Sequence, residues 1–197
     1  MYILVLFDSK GGRTKELAYL VAKGIDSYSL SGINARLRCV PKVSAVCEAI
    51  EPDIKDSGTP YVDIDDLKDC QGLALGSPTY FGNMSSHIKY FLEQTVPLWI
   101  NGMLCNKPFC VFTSSNSMHG GQESTLLSMM LPLMHHGMIM VGLPYFGTNL
   151  RKTQTGGTPY GVSHYAHQDS ISEDERQLAV FMGKRLAEIA LKLNTHK

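Results

Sequence analysis

The sequence carries no excess charge of either sign. Over 197 residues, 18 basic side chains face 18 acidic ones, for a formal net charge of zero. That balance offers no basic stripe to nucleic acid, and no acidic tail to repel it. Cysteine is sparse. Cys39, Cys47, Cys70, Cys105 and Cys110 are odd in number and form no C-x-x-C pair. Their pattern excludes a disulfide framework and a thiolate zinc site, and it suits reduced thiols in a cytoplasmic protein. No stretch approaches the roughly 20 apolar residues of a membrane helix. The start, MYILVLFDSKGG, lacks a positive n-region and a small-residue cleavage site, so it reads as a buried strand and a turn rather than a signal peptide. There is no internal repeat, no catalytic triad and no pair of carboxylates suited to acid–base work. His119, His164 and His167 are irregularly spaced and predict no metal site.

Apolar residues make up 44% of the chain, enough for one domain with a full core across residues 1–197. Strand-like and helix-like stretches alternate. Tyr2 to Phe7 is a continuous apolar run, as in a strand buried on both faces. Thr14 to Ile25 places Leu17, Leu20, Val21, Gly24 and Ile25 on one helical face. Ile33 to Val40 alternates, as expected of a half-covered edge strand. Gly72 to Gly76, Phe109 to Phe112 and Met138 to Val141 are short strand candidates. His87 to Gln94 and Glu123 to His136 read as helices, the second with a kink expected at Pro132. A last helix begins at Ser172, where Ser172 and Glu175 have capping-box spacing. Five strands with interleaved helices predict an α/β doubly wound parallel sheet of order 2-1-3-4-5, with helices on both faces. Two stretches, Pro41 to Pro60 and Pro144 to Ile171, read as long loops. Loops of that length are usually functional or interfacial.

Ligands of such sheets sit outside the carboxyl ends of the strands, near the point where strand order reverses. Three polar loops follow the three central strands. The first, Ser9-Lys10-Gly11-Gly12-Arg13-Thr14, has hydroxyls at its ends and glycines between, so its amides and the following helix can surround a phosphate. It matches neither the nucleoside-triphosphate loop nor the dinucleotide fingerprint, which leaves a monophosphate. The second, Pro78-Thr79-Tyr80-Phe81-Gly82-Asn83, carries an aromatic pair that can lie against a flat ring. The third runs through Thr113, Ser114, Ser115, Asn116, Ser117, Met118, His119, Gly120 and Gly121. Each loop alone is equally an ordinary turn. Together they describe one phosphate and one planar ring, the shape of FMN.

The segments GSPTYFGNMSS (76–86), KYFLEQT (89–95), GGQE (120–123), HHGM (135–138) and GGTPYG (156–161) resemble the WrbA-type NAD(P)H:quinone oxidoreductases, a branch of the flavodoxin-like proteins. They are spread over most of the chain in family order. The resemblance implies noncovalent FMN, two-electron reduction of quinones by NADH or NADPH, and a homotetramer built as a dimer of dimers. It places the phosphate at Ser9 to Thr14 and the ring at Thr79 to Phe81 and Ser114 to His119. It sets His135 close to the flavin, and Trp99, with Phe81, on the substrate side. The chain departs from the family at Asp8, Gly11 and Tyr80, where an aromatic precedes the phosphate loop, an aromatic or histidine lies within it, and an arginine follows in loop two. Of the adjacent His135 and His136, at most one can face the flavin, since neighbours on a helix point apart. Two other readings keep the fold: a one-electron flavodoxin-type carrier, against which the zero net charge speaks, and a non-enzymatic interaction protein, against which the three loops speak.

Overall fold

The computed structural model describes residues 1–43, 58–166 and 170–194. Cys47, His167 and most of the Pro41 to Pro60 stretch lie outside the described residues. The strands are β1 (Tyr2–Phe7), β2 (Asn34–Cys39), β3 (Leu73–Pro78), β4 (Pro108–Ser115), β5 (Ile139–Met140) and β6 (Val162–Tyr165). The helices are α1 (Arg13–Asp26), α2 (Ile64–Lys68), α3 (Ser86–Glu93), α4 (Val96–Ile100), α5 (Gln122–His135) and α6 (Glu173–Asn194). All strand pairs are parallel, and the order is β2-β1-β3-β4-β5, as expected.

Strand period dictates the two cores. Ile3, Val5 and Phe7 of β1 point to one face, where α1 and α6 cover them. Leu4 and Leu6 point to the other face, toward α3 and α5. α1 and α6 approach closely because both carry glycine at the crossing. A Cβ on Gly24 would lie 2.1 Å from the Val180 carbonyl oxygen, and one on Gly183 would lie 2.0 Å from that of Val21. Leu178, Met182 and Leu186 fill the rest of the α6 stripe, while Leu193 is exposed. β2 is the half-covered edge its alternation suggests. Its Arg36 and Arg38 both reach the Asp66 carboxylate, at 3.0 and 2.8 Å.

The stretch from Pro144 to Ile171 is not one long loop. It contains β6, which pairs with the second half of β4, Phe112 to Ser115, while β5 pairs with the first residues, Pro108 and Phe109. One edge position is thus filled by two short strands in series. β5 falls within the Met138 to Val141 candidate, while β6 is fixed by its pairing with β4. Pairing with β3 on one side and β6 on the other extends β4 through Thr113, Ser114 and Ser115, which are strand residues and not loop residues. Pro132 sits in the last turn of α5, so the hydrogen bond it removes falls near the end and the helix continues to His135.

Candidate functional site

The first loop leaves β1 and turns into α1 through Gly12, whose φ of +87° is left-handed. Ser9 Oγ accepts from the Lys15 amide at 3.3 Å and so caps the helix from outside the cavity. The amides of Lys10, Gly11, Gly12 and Thr14 donate to no described residue. Orphan N–H groups at a helix start are the usual donors to a phosphate.

The second loop is a tight hairpin. The Tyr80 amide donates to the Asn83 carbonyl, and the Asn83 amide to that of Tyr80, both at 2.9 Å. Phe81 and Gly82 at the tip have φ of +50° and +74°, the signature of a type I′ turn. Glycine adopts that conformation freely, but phenylalanine is strained there. The Phe81 side chain is fully exposed, so no burial holds the strained residue in place. The tip is held from beneath: a Cβ on Gly121 would lie 2.7 Å from Gly82 Cα. Glycine at both positions lets loop two rest on the start of α5.

The third segment is tied to both others. Thr14 Oγ and Ser114 Oγ are 2.9 Å apart and buried. The Thr79 amide donates to the Ser114 carbonyl at 3.0 Å. Ser115 Oγ donates to the Ser117 carbonyl at 2.7 Å and accepts from Gln122 Nε2 at 3.0 Å, which braces the turn. These ties link the three segments before any ligand arrives.

Between them lies a cavity of about 540 Å³. Lys10, Gly11, Arg13 and Thr14 line one side, Pro78 to Phe81 the second, and Ser114 to Ser117 with Gly120 the third. Its volume lies within the range of small-ligand sites. Free amides at one end and an aromatic hairpin at another fit a flat mononucleotide. Eight expected contacts do not line it, six of them in or beside the three loops. Ser9 caps α1, and Gly12, Gly82 and Asn83 shape turns. Thr113 is fully buried and donates to the Ser77 carbonyl at 2.8 Å. His119 is exposed at the loop surface. The cavity also gains Ala166, at the end of β6, which the sequence reading missed. The run Val162-Ser163-His164-Tyr165 has strand-forming residues at its ends, but the polar Ser163 and His164 between them give neither an apolar run nor alternation.

His135 and Trp99 are elsewhere. Their rings stack with centroids 5.3 Å apart, and both line a separate apolar groove of about 460 Å³ between α3–α4 and α5. His136 serves structure, as the two-histidine argument requires. Its Nε2 lies 2.9 Å from Thr95 Oγ, whose proton goes to the Leu92 carbonyl. His136 Nε2 therefore carries the hydrogen. Burial, and then the neighbouring His135, lower the His136 pKa from its ordinary value. Among the described residues there is no cluster of three or more metal-ligating side chains, and no helix is long and apolar enough to cross a membrane.

A parallel sheet wound 2-1-3-4-5, with a mononucleotide-sized cavity where its central strands end, defines a flavodoxin-like protein. The comparisons agree. The family model for NADPH-dependent FMN reductase matches residues 1–151, and the chain belongs to that family. A protein from Geobacter metallireducens named NAD(P)H dehydrogenase (quinone) is 40% identical, with 98% of this chain and 99% of the relative covered. One of the same name from Syntrophobacter fumaroxidans is 39% identical, with 98% of each covered. The solved structure of a flavodoxin, WrbA-like protein from Agrobacterium tumefaciens superposes with a TM-score of 0.68 at 22% identity. It covers 100% of this chain and 99% of that one.

Proposed function

We propose that this chain is an FMN-dependent NAD(P)H dehydrogenase (quinone), reducing quinones by two electrons with NADH or NADPH as reductant. The observation that carries the reading is the cavity in which orphan amides of loop one, the loop-two hairpin and the β4 end converge. Full-length relatives bearing that enzyme name supply the reaction class. The whole chain, 1–197, works as one flavodoxin-like domain in the cytoplasm. It needs neither a metal nor nucleic acid.

Bound FMN would supply the hydride and two-electron transfer chemistry that links the reduced dinucleotide to the quinone. The chain's own residues bind and orient. The backbone amides from Lys10 to Thr14 would hold the phosphate, with the Arg13 side chain adding positive charge. Tyr80, Phe81 and the Ser114 to Ser117 turn hold the ring system and its edge. Dinucleotide and quinone use one open face in turn, so initial-rate lines at varied quinone are parallel. Intersecting lines would exclude the shared face.

Trp99 and His135 open on a different groove, so they reach a flavin only from another copy of the chain. The exposed apolar residues Val96, Trp99 and Leu131 line that groove. They suit a homo-oligomer, a tetramer built as a dimer of dimers, in which each groove meets a neighbour.

The test is an absorbance spectrum of the purified protein with added FMN, followed anaerobically by NADH or NADPH and then benzoquinone. A bound-flavin spectrum that bleaches with the dinucleotide and recovers with quinone supports the enzyme. Bound flavin that neither dinucleotide reduces makes the protein an electron carrier, and failure to bind FMN removes the cavity assignment.

A further inference from the structure

A second cavity, of about 380 Å³, lies beside the first and is walled by Asp8, Ser9, Lys10, Lys42, Tyr80 and His87. Lys10 and Tyr80 line both cavities, so the two are neighbours across one lysine and one aromatic ring. Tyr80 is fixed by the pair of hydrogen bonds that closes the loop-two hairpin.

The charges around this second cavity are uneven. The Asp8 carboxylate is 7% exposed and is engaged by His87, with Oδ2 3.1 Å from Nδ1. Lys10 and Lys42 form no ion pair with any described residue. Among the described residues, the charges that face the space without an ion-pair partner are therefore both positive. A neutral, flat quinone gains nothing from two ammonium groups. A phosphate gains much, because lysine ammonium groups form charge-assisted hydrogen bonds with phosphate oxygens.

We propose that this cavity seats the phosphate-bearing end of the reducing dinucleotide, with Lys42 and Lys10 as its countercharges. The proposal rests on the functional reading above, in which the neighbouring cavity holds the flavin. The first cavity then takes the ring chemistry, and the second takes the charge that a dinucleotide must carry away from the ring. Tyr80 is the point the ligand passes. Asp8 holds His87 at the cavity wall. The positive charge of this cavity comes from the ends of β1 and β2, through Lys10 and Lys42.

Lys42 lines only the second cavity and is exposed, so Lys42→Gln separates the two sites without threatening the core. ADP, which carries a diphosphate and no nicotinamide, is titrated calorimetrically into wild-type and Lys42→Gln protein, each with and without FMN. The expected result is ADP binding weakened about tenfold in the variant, the scale of one charge-assisted contact, with FMN affinity unchanged. In turnover, KM for NADPH rises by a similar factor while kcat holds. Lys42→Arg restores both. The phosphate-free reductant 1-benzyl-1,4-dihydronicotinamide is oxidised equally by wild type and variant. Equal ADP binding by wild type and Lys42→Gln overturns the proposal. So does a variant whose KM changes for anthraquinone-2-sulfonate and not for NADPH, because the lysines then serve an anionic quinone. Failure of the wild type to take up FMN sinks the functional reading instead, and the ADP titration of the flavin-free protein still decides the subsite.

Discussion

His164 Nδ1 lies 2.9 Å from Glu175 Oε2, and both side chains are wholly excluded from solvent. The carboxylate also accepts from the amides of Gly156 at 2.8 Å, Tyr165 at 3.2 Å and Ser172 at 2.8 Å. One side chain thus ties the GGTPYG turn, β6 and the start of α6 together. It also reaches the site: His164 sits opposite Ser114 in the sheet, and the Ala166 amide donates to the Ser115 carbonyl at 2.7 Å. Burial alone would raise the Glu175 pKa. The hydrogen bond from His164 and those from backbone amides outweigh it and hold the value down at about 2, against an ordinary 4.5. A carboxyl with a depressed folded pKa stabilises the fold above its unfolded value. That contribution is lost as pH falls from 4.5 toward about 2. Glu175→Gln should remove on the order of 3 kcal/mol at neutral pH. It should also flatten the acid limb of stability between pH 4.5 and 2. Urea midpoints measured across that range check both. An unchanged acid limb would show that Glu175 does not govern it.

Gly121 is the foot of the loop-two hairpin. Its φ is +88°, and a Cβ there would meet Gly82 Cα at 2.7 Å, backbone against backbone. Gly121→Ala should cost about 2 kcal/mol of stability from left-handed strain and crowding. Lifting the hairpin away from the β4 end should also weaken FMN binding, by about tenfold for each 1.4 kcal/mol of misfit. Thermal unfolding and flavin-fluorescence titration give the two numbers. Lost stability with unchanged FMN affinity would mean that the hairpin does not touch the flavin.

Phe81 couples strain to function differently. Its backbone is left-handed and its ring is fully in solvent. Phe81→Gly relieves strain of about 1–2 kcal/mol. It adds unfolded-chain entropy of similar size. Stability should therefore stay within about 0.5 kcal/mol. KM for the quinone should rise, since the ring is the exposed aromatic at the mouth of the cavity. A stable variant with unchanged quinone KM would remove Phe81 from substrate binding.

Trp99 tests the assembly. It is half-exposed, in tilted ring contact with His135, and bordered by exposed apolar side chains. Trp99→Ala should weaken self-association by about 2 kcal/mol, a typical loss for a central aromatic anchor. Analytical ultracentrifugation should show smaller species at concentrations where the wild type is assembled. If assembly requires this face, FMN-site activity should fall with it. A variant that assembles and turns over normally would place the interface elsewhere.

The sequence by itself determined the elements whose residues speak locally. β1 is readable because six consecutive positions are apolar, and α1 because its apolar spacing repeats every turn. The Ser172–Glu175 capping box is readable because both partners lie within one helical turn. Alternating strand and helix, with right-handed crossovers, leave few sheet orders, so the order of the five main strands was legible as well. The turn from β1 into α1 was legible from its glycines and hydroxyls. Only tertiary structure decided the rest. β6 takes the same edge of β4 as β5, and its Val-Ser-His-Tyr run shows no period. Thr113, Ser114 and Ser115 look like loop residues until β3 and β6 pair with them. Glu175 reads as a helix cap until folding brings Gly156, Tyr165 and His164 to its two oxygens. Trp99 and His135 belong to a different groove from the loops, a separation set by which face of the sheet each helix covers. The cavity by Lys42 and His87 joins the ends of β1 and β2 to the start of α3. Residues so distant in sequence are brought together only by the packing of the core beneath them.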